Sequence, residues 1–195
     1  MTFYKNYFAL FFALVLFTGI SVLNAQTSYR IGSTQEFKVE GTSTLHDWDM
    51  TSDNASGEAS IVLDGQEIKE IASLRVNFPV RSLKSGNNRL DRTAYNSIDA
   101  DKHTHVRFEL TGVRNITSQL VLATGNLTIA GETRPVTIRT GYKVNGNSIQ
   151  FVGNHSIKFS QFDLDPPTAL LGTVRTGDEL QISFNADFVP AVSSR

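Results

Sequence analysis

Three groups of residues in this chain carry side chains that could do chemistry. The stretch GTSTLHDWDM, residues 41–50, sets His46 beside Asp47 and Asp49 and holds the only tryptophan, Trp48. A histidine with neighbouring carboxylates can serve as a general base or bind a metal, and Ser43 lies close enough in sequence to be asked whether it is a nucleophile. No fixed spacing selects Ser43, however. On a strand, His46 and Trp48 face one way and Asp47 and Asp49 the other, so one face does not collect them. The pattern predicts a strand end, with Trp48 packed on the body of the protein and Asp47 hydrogen-bonded to the turn.

His103 and His105 are two apart. On a strand they would share a face and could hold zinc or copper if Asp99, Asp101 or His155 supplied a third ligand. Two ligands do not make a site; the alternative is an exposed helix-to-strand turn with solvated imidazoles. His155 differs from both groups, because it shares a parity with Ile149, Phe151, Ile157 and Phe159. A polar group on an apolar face needs a partner, either a neighbour, a water or the polar head of a ligand. A bulge at Gly153 would turn it to the other face. Cysteine is absent, which removes thiol chemistry. These patterns assign no catalytic residue, no metal ligand and no cofactor.

The elements that must position these groups are strands. LRVNFPV alternates Leu74, Val76, Phe78 and Val80 against Arg75 and Asn77. VRFEL sets Val106, Phe108 and Leu110 together; SIQFVGNHSIKF does the same for Ile149, Phe151, His155 and Ile157, and LQISFNADF for Leu180, Ile182, Phe184 and Phe188. Strict alternation marks half-buried strands, dry on one face and wet on the other. Turn signals such as LDGQ, AGETRP, VNGNS and RTGDE separate them, which predicts an all-β antiparallel sheet closed into a sandwich or barrel. One segment has a helical period instead. Leu90, Ala94 and Ile98 form an i, i+4, i+8 stripe, with Asn87 or Asn88 available as the cap, so one crossing helix is expected near residues 87–98. Arg134, before Pro135, reads as a turn and strand-start feature. The long DLDPPTALLGTVRTGDE stretch either caps the sheet's open end or plugs it as core.

Residues 1–25 read as a signal peptide: Lys5, an apolar run from Phe8 to Ile20, then small residues before Gln26. That run is short for a membrane span, so stable insertion is not expected, although an uncleaved anchor is the alternative. The domain is then residues 26–195, periplasmic or secreted. Its 18 basic residues against 19 acidic ones, less Lys5 after cleavage, exclude a polyanion binder such as a nucleic-acid protein.

Several motifs in order resemble the YceI-like family. TGNLTIAGETRPVTIRTGY places Gly125, Leu127, Thr128, Gly131, Thr133, Arg134 and Val136 on its hallmark. The 78–110 segment is similar to its strand, helix and return strand, although His103-Thr104 stands where the family has Tyr-Pro. IKFSQFDLDPPTALLGTVRTGDELQISFNADF resembles its C-terminal region. The resemblance implies an antiparallel eight-stranded lipocalin-like barrel, exported, that holds an isoprenoid-type or other amphiphilic small molecule in an apolar tunnel. The inward stripes would line it: Leu74, Val76, Phe78, Val106, Phe108, Phe151, His155, Ile157 and Phe184. Composition alone does not require a cavity, since eight phenylalanines outside the leader are ordinary for a core of this size. A filled barrel acting through protein partners, and a hydrolase or isomerase using His46 or His155, are the two alternatives.

Overall fold

The computed structural model describes residues 26–169 and 171–191; the expected signal peptide lies outside them, as does Leu170. The alternating segments are strands: β1 (Thr27–Ser43), β2 (Trp48–Ser52), β3 (Ser56–Asp64), β4 (Glu67–Pro79), β5 (His105–Ile116), β6 (Leu120–Ile129), β7 (Glu132–Asn145), β8 (Ser148–Lys158), β9 (Thr168–Ala169) and β10 (Val174–Pro190). One helix, α1 (Asn88–Ser97), lies between β4 and β5. Each neighbouring pair is antiparallel, in the order β1-β3-β4-β5-β6-β7-β8-β10. β10 returns to β1 from Tyr29↔Pro190 to Ser43↔Thr176. The sheet is therefore a closed eight-stranded barrel, with β2 and β9 as short additions at one end.

Turn chemistry sets the register. At the β6–β7 turn Ala130 and Gly131 both have positive φ, 50° and 87°, as a two-residue hairpin requires when it pairs Ile129 with Glu132. Gly131 also accepts the His103 ring, which a Cβ there would meet at 2.8 Å.

β1 changes neighbours along its length. Thr27–Arg30 pairs with β3, and Phe37–Gly41 pairs with β2. A register shift between Ile31 and Gln35 marks the divergence. Gln35 bridges the gap there: its amide donates to Gly32 O and its carbonyl accepts from Ala55 N. Above that point β2 and α1 complete the wall. Thr51 and Lys84 exchange backbone hydrogen bonds, tying β2 to the chain that leads into the helix. Asn87 is the cap, accepting from Arg89 N and Leu90 N. Beneath the helix Met50, Val80, Tyr95 and Ala100 are buried, with Leu90, Ala94 and Ile98 packed on them. Val80 thus departs from its expected stripe. β4 ends at Pro79, and Val80 opens a 3-10 turn whose side chain goes under α1.

The lower half of the barrel is filled. Ile61 and Ile149 have no exposed surface, and Phe151 meets Phe188 edge-on with ring centroids 5.6 Å apart. Tyr142 closes this base, since its hydroxyl accepts from Ile68 N and donates to Thr117 O. Removing the hydroxyl orphans a buried amide, which costs about 1–3 kcal/mol. Tyr142→Phe is expected to lower the urea unfolding midpoint accordingly while leaving the far-UV circular dichroism unchanged.

Candidate functional site

Above the filled base the barrel is hollow. The cavity has a volume of about 480 Å³, within the range of small-molecule sites. Its floor is the upper surface of the base cluster, including Phe151 and Phe188. Its mouth lies between the β1–β2 loop, the start of α1 and the β9–β10 region, where Leu45, Asn87 and Arg89 are exposed.

Each of the nine residues expected to line the tunnel faces this space. Leu74, Val76 and Phe78 come from β4; Val106 and Phe108 come from β5. Phe151, His155 and Ile157 come from β8, and Phe184 from β10. No bulge interrupts β8 at Gly153, and the β8–β10 register runs without a shift from Lys158 to Ile149. Parity therefore carries through, and His155 faces inward opposite Ile182.

The hollow depends on inward-facing glycines. Gly153 pairs with Phe184, Gly41 pairs with Trp48, and Gly125 lies diagonal to Phe108. A Cβ would come within 2.6 Å of the Phe184 ring at Gly153 and within 2.4 Å of the facing ring at the other two. Each ring therefore lies over a neighbouring strand's bare backbone, along the wall. The same rings projecting radially would fill the lumen. This is cross-strand packing of an aromatic on glycine.

The polar groups divide sharply. His155 has no hydrogen-bond partner among the described residues, and burial holds its pKa below the ordinary 6.5, so the imidazole is neutral at pH 7. His46 and Asp47 precede β2 in a loop, so His46 does not share a strand face with Trp48, nor Asp47 with Asp49, as the sequence reading had them. Ser43, not the Asp47 side chain, organises that turn. Its hydroxyl accepts from Leu45 N and His46 N and donates to His46 O, so it is not aimed at an imidazole. The His46 ring lies 2.7 Å from Asp47 O through Nδ1, and Trp48 donates to Thr42 O. Both His46 and Trp48 line the mouth. His103 and His105 do not share a strand face either. β5 begins at His105, and His103 precedes it on a loop against Gly131. Among the described residues no three His, Cys, Asp or Glu side chains form a metal-ligand cluster.

Sequence reasoning missed the helix's share of the wall. Leu90, Ala94 and Ile98 were read as a stripe seeking a core, yet they also line the cavity. In the long loop Leu164 packs inward as core with Phe162, Leu127 and Ile157, Pro167, Thr168 and Ala169 border the cavity, and Leu171 is fully exposed. Arg134 fixes that loop by bonding Gln161 O, Asp163 and Glu132.

A family model for the YceI-like domain matches residues 23–188. Among solved structures, BcnA of Burkholderia cenocepacia is similar with a TM-score of 0.66 at 21% identity, over 78% of this chain and 95% of that one. A polyisoprenoid binding domain from Saccharophagus degradans, implicated in plant cell wall breakdown, gives 0.64 at 8% identity over 86% and 100%. The Campylobacter jejuni YCEI protein gives 0.54 at 20% over 67% and 79%. At these identities the likeness establishes the fold. No curated protein matches.

Two outcomes follow from the wall. Gly125→Ala drives a Cβ against both the Phe108 ring and Glu109 O, at 2.4 and 2.7 Å, and the backbone oxygen cannot retreat. Overpacking of this kind is expected to lower stability by about 1–3 kcal/mol in chemical denaturation. For His155 the unfolded chain takes up a proton before the folded one as pH falls, so stability declines on going below pH 6.5. Urea midpoints between pH 8 and 5.5 should show this decline, and His155→Gln should flatten it.

Proposed function

Because this chain belongs to the YceI-like domain family, we propose that it is a binding protein that sequesters or carries an isoprenoid, quinone-like or other amphiphilic lipid in its barrel. The observation that carries this reading is the 480 Å³ hollow above a packed base, walled by aliphatic and aromatic side chains. Residues that could have filled the space lie along the wall. The energetics would be those of burial: about 0.8 kcal/mol for each methylene removed from water. The wall offers an apolar chain no directional contacts, so it would admit a class of chains more readily than one compound. The polyisoprenoid binding domain with the same fold supports an isoprenoid as a member of that class. The mechanism is enclosure, without a chemical step. The leader-like sequence at residues 1–25 supports export, so the work of such a carrier would lie in an aqueous compartment beyond the inner membrane.

Native mass spectrometry of the protein purified from an exported preparation without detergent tests this, followed by organic extraction. A co-purifying lipid, together with a mass showing cleavage ahead of Gln26, is the expected result. A bare mass that stays unchanged after incubation with polyprenyl and quinone lipids would overturn it. Ile182→Trp places an indole in the middle of the hollow opposite His155. It should reduce retained lipid several-fold while the protein remains folded by circular dichroism.

A further inference from the structure

The unspent charged and amide groups at the cavity mouth are donors. Among the described residues, no aspartate or glutamate side chain lines it. Most of its hydroxyls are already committed to carbonyls of the protein. Ser43 donates to His46 O, Thr93 to Arg89 O, Ser97 to Ala94 O, and Thr140 to Val152 O. The Trp48 N–H is spent on Thr42 O. Lys38 and Lys158 stand at outward-facing positions and pair with Glu40 and Glu179.

Four groups remain at or near the mouth and on the wall; one is His46, whose Nδ1 lies against Asp47 O and whose Nε2 has no partner among the described residues. Arg89 is exposed at the opening and forms no ion pair among the described residues. Two residues earlier, Asn87 spends its carbonyl oxygen on capping α1, which leaves its amide N–H groups as donors. His155, deeper in the wall, is a neutral imidazole with one N–H and one acceptor nitrogen, neither of them partnered among the described residues. Thr168 and Thr176 add hydroxyls that serve either way. A ligand head with hydrogens to donate finds few acceptors here, and a cationic head finds Arg89. An acceptor-only head satisfies the donors, and a charged one forms the stronger bonds.

We propose that the ligand's polar head is an oxyanion, a carboxylate or a phosphate on the end of the apolar chain, held at the cavity mouth by Arg89 and the Asn87 amide. This rests on the binding reading above and narrows its ligand class. A planar guanidinium suits both oxyanions, because it presents paired N–H groups to two oxygens at once.

The test is displacement of N-phenyl-1-naphthylamine, a neutral apolar fluorophore, from the purified protein. The competitors share one chain length and stay below their micellar concentrations: dodecanoate, dodecyl phosphate, dodecanol and dodecylamine. The anions are expected to displace the probe at concentrations about tenfold below dodecanol, the size of one charge-assisted contact, with dodecylamine weakest. The gap should shrink with added salt. Arg89→Gln should close it while leaving dodecanol unchanged, and the anion losing more identifies the better-fitting head. Dodecanol matching the anions, or an anion preference that survives Arg89→Gln, overturns the head assignment and leaves the container reading standing. Failure of the fluorophore and all four chains to bind would sink both.

Discussion

Closure of β10 onto β1 is the constraint from which the rest follows. An open sheet of this length would present two edges of unpaired amides and carbonyls; pairing from Tyr29↔Pro190 to Ser43↔Thr176 joins those edges, interrupted by the shifts between Ile31 and Gln35 and between Gly41 and Ser43. Closing eight strands also sets a diameter. That diameter is just large enough for side chains to fill or for one ligand to enter. The backbone does not choose between these outcomes, so the inward residues must. Here they choose differently at the two ends. The base receives Tyr142, Ile149, Phe151 and Phe188 at full packing. The upper wall receives glycines opposite aromatic rings.

That placement explains a feature that composition hides. Phe108 and Phe184 are as large as the rings that plug the base, yet they leave room. A ring's effect on a barrel depends on its cross-strand neighbour. Opposite a side chain it must rise into the lumen; over Gly125 or Gly153 it lies flat on the next strand. The hollow is therefore encoded in pairs of positions on different strands.

This also marks what the sequence could show. Parity within a strand is local, so the inward stripes, the turn residues and the Asn87-capped helix were legible from period alone. Pairs across strands are not local, and neither the hollow nor the glycines' role could be read without the register. The shared faces expected for His46 with Trp48 and for His103 with His105 failed for a related reason. Period-two reasoning assumed that the strands extended through His46 and His103, whereas both residues lie just ahead of strand starts at Trp48 and His105. Ser43 and the loop before β5 end the pattern there, and alternation has no meaning beyond them. His155, inside a long uninterrupted strand, was placed correctly for the same reason.

The divergence of β1 from β3 makes room for the pieces that border the mouth. The shift between Ile31 and Gln35 releases β1 from β3, and the wall above it is finished by two non-barrel pieces, β2 and α1. β2 joins the barrel by pairing with β1 from Phe37↔Ser52 to Gly41↔Trp48, and α1 is held to β2 by the Thr51–Lys84 backbone bridge and the apolar contacts around Met50 and Tyr95. They and their flanking residues also bring several of the polar side chains that the cavity possesses, among them Asn87, Arg89 and His46. The division of labour follows from the chemistry of each part. Regular strands give a wall of alternating apolar residues, which offers no directional contacts. The irregular insert is where backbone geometry is free enough to hold polar groups at an exposed rim.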